Sequence, residues 1–336
     1  MKSLRVYLPS VHHTSWFSQF SQALCRQFLE SHYAIDYARS HASCTSTSFP
    51  KYHCSQGSEI TVHPYSLALE DLETGEFQIF TSHYRPMDLF RTYGFDLWRL
   101  KRLCSAHFNG HLAIEVDHLL RRDEFCKHDA NVVKEKISPW MFRPETWAGL
   151  DVVEATFDPA GTIPKAYFRG VKNRARECLE TLQSDNDFAV NMGTFTANNK
   201  LSETDYFAEL LGYRVALSVP GAGDMCHRDI ECFAMGIPVL RPRFSCELMY
   251  PIPDDCYIPV DFVGTEQYLH DPECFKPWHP QDPAKLARDL GTRLREVIGE
   301  EDYLNAVAAN AYRHYLNHYK WPQPGIIALD AVRSCF

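Results

Sequence analysis

Residues 215–240 of the chain read VALSVPGAGDMCHRDIECFAMGIPVL. An apolar run of strand length is followed by a turn with two glycines, a helix-length segment with apolar residues on one face, and a second apolar run. We expect Gly236 to end the helix, because glycine is the usual residue just past a helix C-terminus. The order strand, helix, strand predicts two parallel strands in an open sheet, which is typical of α/β proteins.

The turn of this unit carries the chemistry that predicts a ligand site. Gly221, Ala222 and Gly223 would let backbone N–H groups approach a ligand, and the helix that follows would direct its positive end to the same place. Arg228 and Glu231 are three residues apart and therefore share one face of the helix. A guanidinium there can pair with phosphate oxygens, and a carboxylate one turn on can accept both hydroxyls of a ribose.

Two simpler interpretations of the same residues stay open. The glycines can be ordinary turn and helix-packing residues, and Arg228 and Glu231 can form an ordinary surface ion pair, which contributes under about 1 kcal/mol. The glycine pattern is not the dinucleotide fingerprint, because Cys226 occupies the position of its third glycine.

The flanking sequence predicts further α/β structure in both halves of the chain. In the N-terminal half we expect strands at 5–8 and 33–37 around a helix at 16–30, the beginning of a doubly wound domain. The other strands are predicted at 60–69, 76–81, 111–116, 165–168, 188–192, 214–219 and 237–240, with the strand at 165–168 stopping at Arg169. The other helices are predicted at 87–108, 173–182, 203–211, 225–235, 284–297 and 302–318, with Ser202 as the N-cap of the helix at 203–211.

Length and composition limit the class of protein. With 336 residues the chain is long enough for two domains, and we expect boundaries at 1–160, 161–320 and a tail, 321–336, that packs back on a domain. A net charge of −9 argues against nucleic-acid binding. The sequence shows neither an apolar run long enough to span a membrane nor a signal peptide, and its twelve cysteines lack regular spacing. We therefore expect a cytoplasmic protein with reduced thiols.

Two motifs resemble a known enzyme family. The run His227-Arg228-Asp229-Ile230-Glu231, followed by Met235-Gly236-Ile237-Pro238-Val239, is similar to the donor-binding core of GT-B glycosyltransferases, most closely the exostosin-like branch. In this chain the arginine and the glutamate are separated by one more residue than in that branch. The segment Lys165–Gly170, with Arg174 and Arg176 after it, is a weaker second match. The resemblance covers about residues 160–265.

The resemblance implies a GT-B-like fold, in which two Rossmann-like doubly wound domains face a cleft. It implies that the C-terminal domain binds a nucleotide sugar, UDP-linked in preference to GDP-linked, and that the N-terminal domain binds a glycan acceptor. Arg228, Glu231, Gly221, Ala222 and Gly223 would bind the donor, and Arg169 and His227 would add contacts. No cofactor and no metal would be required.

The sequence agrees with a reaction that needs no metal but does not decide its stereochemistry. The triplet Asp185-Asn186-Asp187 lies in an expected turn away from the glycines, and we interpret it as a solvated turn. An inverting transfer needs a base that deprotonates the acceptor, for which His12, Asp36 and Asp117 are the candidates because they follow or end predicted N-terminal strands. A retaining transfer needs no such base.

Other functions remain open on the sequence alone. A nucleotide-sugar epimerase or hydrolase would use the same scaffold, and a non-catalytic nucleotide- or glycan-binding module would use the same turn. The sugar, the acceptor and the oligomeric state are not indicated by any motif.

Overall fold

The computed structural model describes residues 1–8, 16–40, 50–57, 59–62, 66–81, 100–107, 110–115, 133–135, 159–172, 176–193, 201–220, 226–244, 252–261, 280 and 282–336. The strands of the N-terminal half are β1 (Ser3–Tyr7), β2 (Ala34–Tyr37), β3 (Lys51–His53), β4 (Glu59–Thr61), β5 (Ser66–Asp71), β6 (Phe77–Thr81), β7 (Leu100–His107), β8 (Gly110–Glu115) and β9 (Val133–Glu135). Helix α1 (Trp16–Gln27) follows β1.

The C-terminal half alternates strands and helices. Its strands are β10 (Ile163–Val171), β11 (Phe188–Gly193), β12 (Tyr213–Leu217), β13 (Val239–Pro242) and β14 (Ile258–Val260). Its helices are α2 (Cys178–Leu182), α3 (Glu203–Leu211), α4 (His227–Met235), α5 (Pro283–Val297), α6 (Glu301–His318) and α7 (Gln323–Cys335). None of the helices in the described part of the chain has the length and apolar character needed to cross a membrane.

The N-terminal sheet has the order β2-β1-β5-β6-β7-β8-β9. It is a mixed sheet, in which the pairs β1/β2 and β6/β7 are parallel and the other pairs are antiparallel. The expected strand–helix–strand beginning is present, since β1, α1 and β2 follow one another. The doubly wound pattern expected for this half does not continue, because β5 pairs with β1 in the antiparallel direction and hairpins follow.

Two features of this sheet are the turn at Gly75 and a strand within the segment predicted as a helix at 87–108. A hairpin turn at Gly75, whose φ is 72°, joins β5 to β6, and the Glu73 N–H donates to the Asp71 carboxylate in the turn at 2.8 Å. The helix predicted at 87–108 is wrong over residues 100–107, because Leu100–His107 is strand β7, paired with β6 and β8. The rest of that prediction lies outside the described residues.

The C-terminal sheet confirms the parallel α/β arrangement predicted from residues 215–240. All four of its strand pairs are parallel, and its order is β11-β10-β12-β13-β14. Numbered along the chain this is 2-1-3-4-5, a common doubly wound order, in which ligands bind beyond the carboxyl ends of strands 1 and 3. Here these strands are β10 and β12.

Helices cover both faces of this sheet because its residues alternate between two apolar clusters. Tyr167 and Ala216 belong to the cluster that contains α3, α4 and part of α6. Phe168 and Val215 belong to the cluster that contains α2 and α5. A strand buried on both faces explains why residues 215–217 are all apolar instead of alternating.

The helix boundaries follow the local signals. The Ser202 hydroxyl accepts the Asp205 N–H at 3.1 Å and caps α3, as predicted. Gly236 ends α4 in the left-handed conformation, with a φ of 67°. Several predicted bounds differ. Strand β10 continues through Val171, the helix predicted at 173–182 is described only as α2 at Cys178–Leu182, the helix predicted at 16–30 ends at Gln27, and the strand predicted at 60–69 is divided between β4 and β5.

The C-terminal helix α7 packs on the N-terminal half of the chain. Ala328, Leu329 and Val332 are buried in one cluster with Leu4 of β1 and Leu24 of α1. The preceding helix, α6, belongs to the C-terminal clusters. The last two helices therefore join the cores of the two halves. The domain boundary near residue 160 stays a prediction.

Candidate functional site

The candidate site lies where β10, β12 and the first turn of α4 meet. Because these strands are parallel, their carboxyl ends lie at the same edge of the sheet, and α4 starts from that edge after residues 221–225. Arg169, near the end of β10, and Leu217, at the end of β12, belong to the two strands between which the strand order reverses. An open α/β sheet binds its ligands at this point.

Arg228, in the first turn of α4, forms hydrogen bonds with the ends of both β10 and β12. Its Nη2 donates to the Arg169 carbonyl, its Nη1 donates to the Leu217 carbonyl at 3.4 Å, and its Nε donates to the Tyr206 hydroxyl at 3.1 Å. The guanidinium carbon lies 4.2 Å from the centre of the Phe168 ring. A guanidinium has five N–H donors, so two of them have no acceptor among the described residues.

The surroundings of Arg228 keep it charged. Burial disfavours the cation, but contact with the Tyr206 hydroxyl and nearby thiols outweighs burial, so that the pKa of Arg228 is raised. Burial also raises the pKa of Tyr206, to about 12, which keeps the phenol protonated. The positive charge of Arg228 is therefore permanent at neutral pH.

Arg176 is a second cation at the same edge. Its Nη1 donates to the Val171 carbonyl at 3.0 Å, and its guanidinium carbon lies 5.2 Å from the centre of the Phe168 ring. Its Nε is buried and has no hydrogen-bond partner among the described residues. Burial lowers the pKa of Arg176, and the like charge of Arg228 acts in the same direction, whereas the Cys226 thiol opposes them.

The charge balance at this edge favours an anion. Within the described part of the chain neither Arg176 nor Arg228 has a carboxylate within ion-pairing distance, and their contacts are with carbonyls, a phenol, a thiol and a ring. Two guanidinium groups that share one ring repel each other unless an anion lies between or beside them. The arrangement is therefore suited to a phosphate or diphosphate.

Arg169 contributes a third cation that is partly neutralised. Its Nη1 lies 3.4 Å from the Glu209 carboxylate of α3, which also accepts a hydrogen bond from the Tyr167 hydroxyl. The Arg169 side chain is largely buried, with 16% of its surface exposed. We call Arg169, Arg176 and Arg228 the arginine cluster.

Glu231 lies one turn after Arg228 and is partly exposed. Its negative charge acts on the Tyr206 hydroxyl, where burial is the main cause of the raised pKa and the opposing charge of Arg228 lowers it. The structure thus places both side chains of the predicted pair beside the same phenol. The predicted contact of Glu231 with a ribose stays a prediction.

A buried ion pair lies beneath the start of α4. The Arg241 Nη1 donates to the Asp229 Oδ2 at 2.7 Å, and both side chains are fully buried. The same carboxylate oxygen accepts the backbone N–H of Cys226 at 2.7 Å, which closes a capping box at the first turn of α4.

The remaining predicted site residues are only partly placed. Gly221, Ala222, Gly223, His12 and Asp117 lie outside the described residues. His227 begins α4, but its side chain is outside those described. Asp36 lies inside the edge strand β2, where its carboxylate accepts from Nε and Nη2 of Arg5, at 2.7 and 2.6 Å.

The two carboxylates of the triplet at 185–187 are paired with an arginine of the same chain. Arg295 of α5 donates to the Asp185 carboxylate at 2.6 Å and to the Asp187 carboxylate at 2.7 Å. Among the described residues no three metal-binding side chains come together. The turn therefore fastens β11 to α5.

Sequence reasoning missed three residues of the site. Tyr206 was placed only within the helix predicted at 203–211, and Arg241, which follows the strand predicted at 237–240, was not considered. Arg176 was noted as one of two basic residues after Gly170 and not chosen. The signal that could have identified Arg176 is its position after the first strand of a doubly wound unit, at the edge where that unit binds anions.

No protein-family model matches the chain, and no curated protein matches it in sequence. Among solved structures it is similar to the C-terminal domain of a glycosyl transferase group 1 family protein (LpcC) from Francisella tularensis, with 13% identity and a TM-score of 0.29, over 53% of this chain and 82% of that one. A glycosyltransferase from Rickettsia africae ESF-5 has 11% identity and a TM-score of 0.34, over 76% and 62%. TarM has 8% identity and a TM-score of 0.30, over 95% and 85%. Superpositions of this quality do not establish a shared fold, so the site stands on its own geometry.

Proposed function

We propose that the chain is a GT-B glycosyltransferase of the exostosin-like type. It transfers a sugar from a nucleoside diphosphate donor, UDP-linked in preference to GDP-linked, to a hydroxyl of a glycan acceptor, and it needs no metal ion. The sequence resemblance around Arg228 and Glu231 supports the reaction class.

One observation carries the proposal: the arginine cluster surrounds the point where the strand order of a parallel sheet reverses. This edge of a doubly wound sheet is the usual position for a nucleotide. Two of the three guanidinium groups have no carboxylate partner among the described residues, and Arg176 keeps a buried N–H without an acceptor there. A buried donor of this kind is costly unless a ligand or water satisfies it.

The reaction follows from these charges. The acceptor oxygen attacks the anomeric carbon of the donor, the bond from that carbon to the phosphate oxygen breaks, and the nucleoside diphosphate leaves with the bonding electron pair. Arg176 and Arg228 stabilise the negative charge that develops on the leaving diphosphate. Arg169 adds positive charge on the β10 side, and Glu231 accepts hydrogen bonds from the ribose. Because the cations come from the chain itself, the transfer proceeds without a divalent ion.

The acceptor binds to the N-terminal half, and an inverting reaction takes its base from there. Asp117 and His12 are the stronger candidates. Asp36 is less suitable, because two nitrogens of Arg5 already occupy its carboxylate and it lies in the middle of an edge strand.

The test compares two arginines with similar bonds but different positions. Arg228 contacts the end of β12 and Arg214 lies within β12, and each donates to two backbone carbonyls. Arg214 binds the carbonyls of Pro159 and Ile298, away from the candidate site. Arg228→Ala and Arg214→Ala therefore remove comparable structural hydrogen bonds. Thermal unfolding of each variant is measured with and without UDP and a panel of UDP- and GDP-sugars.

We expect UDP at about 100 times its dissociation constant to stabilise the wild type by about 2.7 kcal/mol. Arg214→Ala should keep this increment even though its own unfolding temperature falls, and Arg228→Ala should lose most of it. An equal ligand-induced increment in the two variants would show that the donor does not bind at the arginine cluster. Release of UDP from a UDP-sugar at the same rate with and without a glycan acceptor would indicate a hydrolase instead.

A further inference from the structure

The buried pair of Arg241 and Asp229 joins β13 to the start of α4. Neither side chain is exposed, although arginine and aspartate are rarely buried completely. Two paired charges in a core add little net stability, but loss of one partner leaves the other as an uncompensated buried charge. Arg241 is also held without Asp229, since its Nε donates to the Pro242 carbonyl at 2.9 Å and its guanidinium carbon lies 3.3 Å from the centre of the Phe244 ring.

The position of Asp229 creates an electrostatic difficulty for an anion. Its carboxylate accepts the Cys226 N–H at the N-terminus of α4. Without this carboxylate, the helix N-terminus would present positive charge to a ligand. A carboxylate at this place repels a diphosphate held by Arg176 and Arg228. The charge of Arg241, 2.7 Å away, cancels that repulsion.

Cys226 links the buried pair to the arginine cluster, since its backbone N–H donates to the Asp229 carboxylate at 2.7 Å. Its pKa is raised, first by burial and then by the charge of Asp229, and the charges of Arg176 and Arg241 oppose the increase. Cys226 also lies beside the Arg176 guanidinium. Asp229 and Arg241 therefore act on the same atoms that border the arginine cluster.

We propose that Arg241 is a positioning residue for donor binding: it neutralises Asp229, so that Asp229 can cap α4 and hold Arg228 in place without repelling the diphosphate. This inference rests on the function proposed above. It separates two effects of the pair, because the shape of the cap depends on the Asp229 oxygen, whereas the affinity for an anion depends on the net charge of the pair.

Two substitutions that break the pair from opposite sides test this separation. Asp229→Asn keeps an oxygen that can accept the Cys226 N–H but removes the negative charge. Arg241→Met keeps much of the buried volume but removes the positive charge. Affinities for UDP and for inorganic pyrophosphate are measured by isothermal titration calorimetry well below the unfolding temperature of each variant, and stability is measured separately by urea denaturation.

Both variants should be less stable than the wild type, but only Arg241→Met should lose affinity for the anion. Arg241→Met should bind UDP at least about tenfold more weakly, which corresponds to about 1.4 kcal/mol. Asp229→Asn should bind UDP and pyrophosphate as tightly as the wild type or more tightly. The double variant should return to within about threefold of the wild type, because the two charge changes cancel. Arg241→Lys, which keeps the charge, should bind UDP nearly as the wild type does.

A purely structural pair would give a different result. In that case Asp229→Asn and Arg241→Met would both weaken UDP binding in proportion to their loss of stability, which would overturn the inference. If Arg241→Met fails to fold, Asp229→Asn and Arg241→Lys still test the inference. Weaker UDP binding by both of these variants would overturn it. A wild type that binds neither UDP nor pyrophosphate would refute the proposed function itself, which distinguishes the two failures.

Discussion

Substitution of Gly170 by alanine tests the packing that holds the arginine cluster. Gly170 lies near the end of β10, and a Cβ built on it would be 2.8 Å from Cζ of the Phe168 ring, 3.0 Å from its Cε1 and 3.2 Å from Nη1 of Arg176. Ordinary contacts of a Cβ begin near 3.4 Å. The backbone of Gly170 is outside the left-handed region, so any cost of the substitution comes from these contacts.

The expected cost follows from what the ring can do. Phe168 is fully buried in the core of the C-terminal half, so its ring cannot move into solvent. Overpacking of this kind costs about 1–3 kcal/mol. The ring also supports the guanidinium groups of Arg228 and Arg176, at 4.2 and 5.2 Å, in contacts that are each worth about 0.5–2 kcal/mol. We therefore expect Gly170→Ala to weaken UDP binding by about tenfold.

The assay pairs urea denaturation with calorimetric titration of UDP, and Gly193→Ala is the matched control. Gly193 ends the neighbouring strand β11, pairs in register with Val171, and a Cβ there meets no described atom within 4 Å. Gly193→Ala should leave both stability and UDP affinity nearly unchanged. If Gly170→Ala behaves like this control, the ring and the two arginines do not pack as the structure has them.

Two further predictions concern the helices that join the two halves. Leu329→Ala should lower the free energy of unfolding by about 2–5 kcal/mol, because Leu329 of α7 is buried against the N-terminal core. Arg333→Ala, on the exposed side of α7, should change this free energy little. Equal urea midpoints for the two variants would contradict the packing of α7. Burial, with a smaller effect of the charge of His318, lowers the pKa of His314 from 6.5 to about 4. Between these two pH values the unfolded state binds a proton at His314 and the folded state does not. Stability should therefore fall by about 2 kcal/mol between about pH 7.5 and about pH 5, and His314→Phe should flatten that dependence in urea titrations; an unchanged slope would exclude His314 as its cause.

The sequence predicted the C-terminal sheet because its signals are local. The cap at Ser202, the left-handed glycine at 236 and the apolar run at 215–217 each act within a few residues. The strand at Leu100–His107 was missed because a short apolar pattern cannot distinguish a helix from a strand by periodicity alone.

The candidate site was predictable only in part, for a physical reason. Arg228 was identified because it follows a glycine turn at the start of a helix. The partner of Arg241 is 12 residues away in another element, and only the folded chain shows that both are buried. In the same way, the packing of Arg176 and Arg228 on Phe168 depends on how β10, α4 and the segment before α2 meet. Burial and contacts across elements leave no periodic signal in a sequence.

The most direct test of the central claim is a crystal structure of the chain grown with saturating UDP. The account predicts that diphosphate oxygens lie within hydrogen-bonding distance of the Arg176 and Arg228 guanidinium groups, beyond the ends of β10 and β12. Ordered UDP bound at any other place, with these two arginines in contact only with the protein, would contradict it.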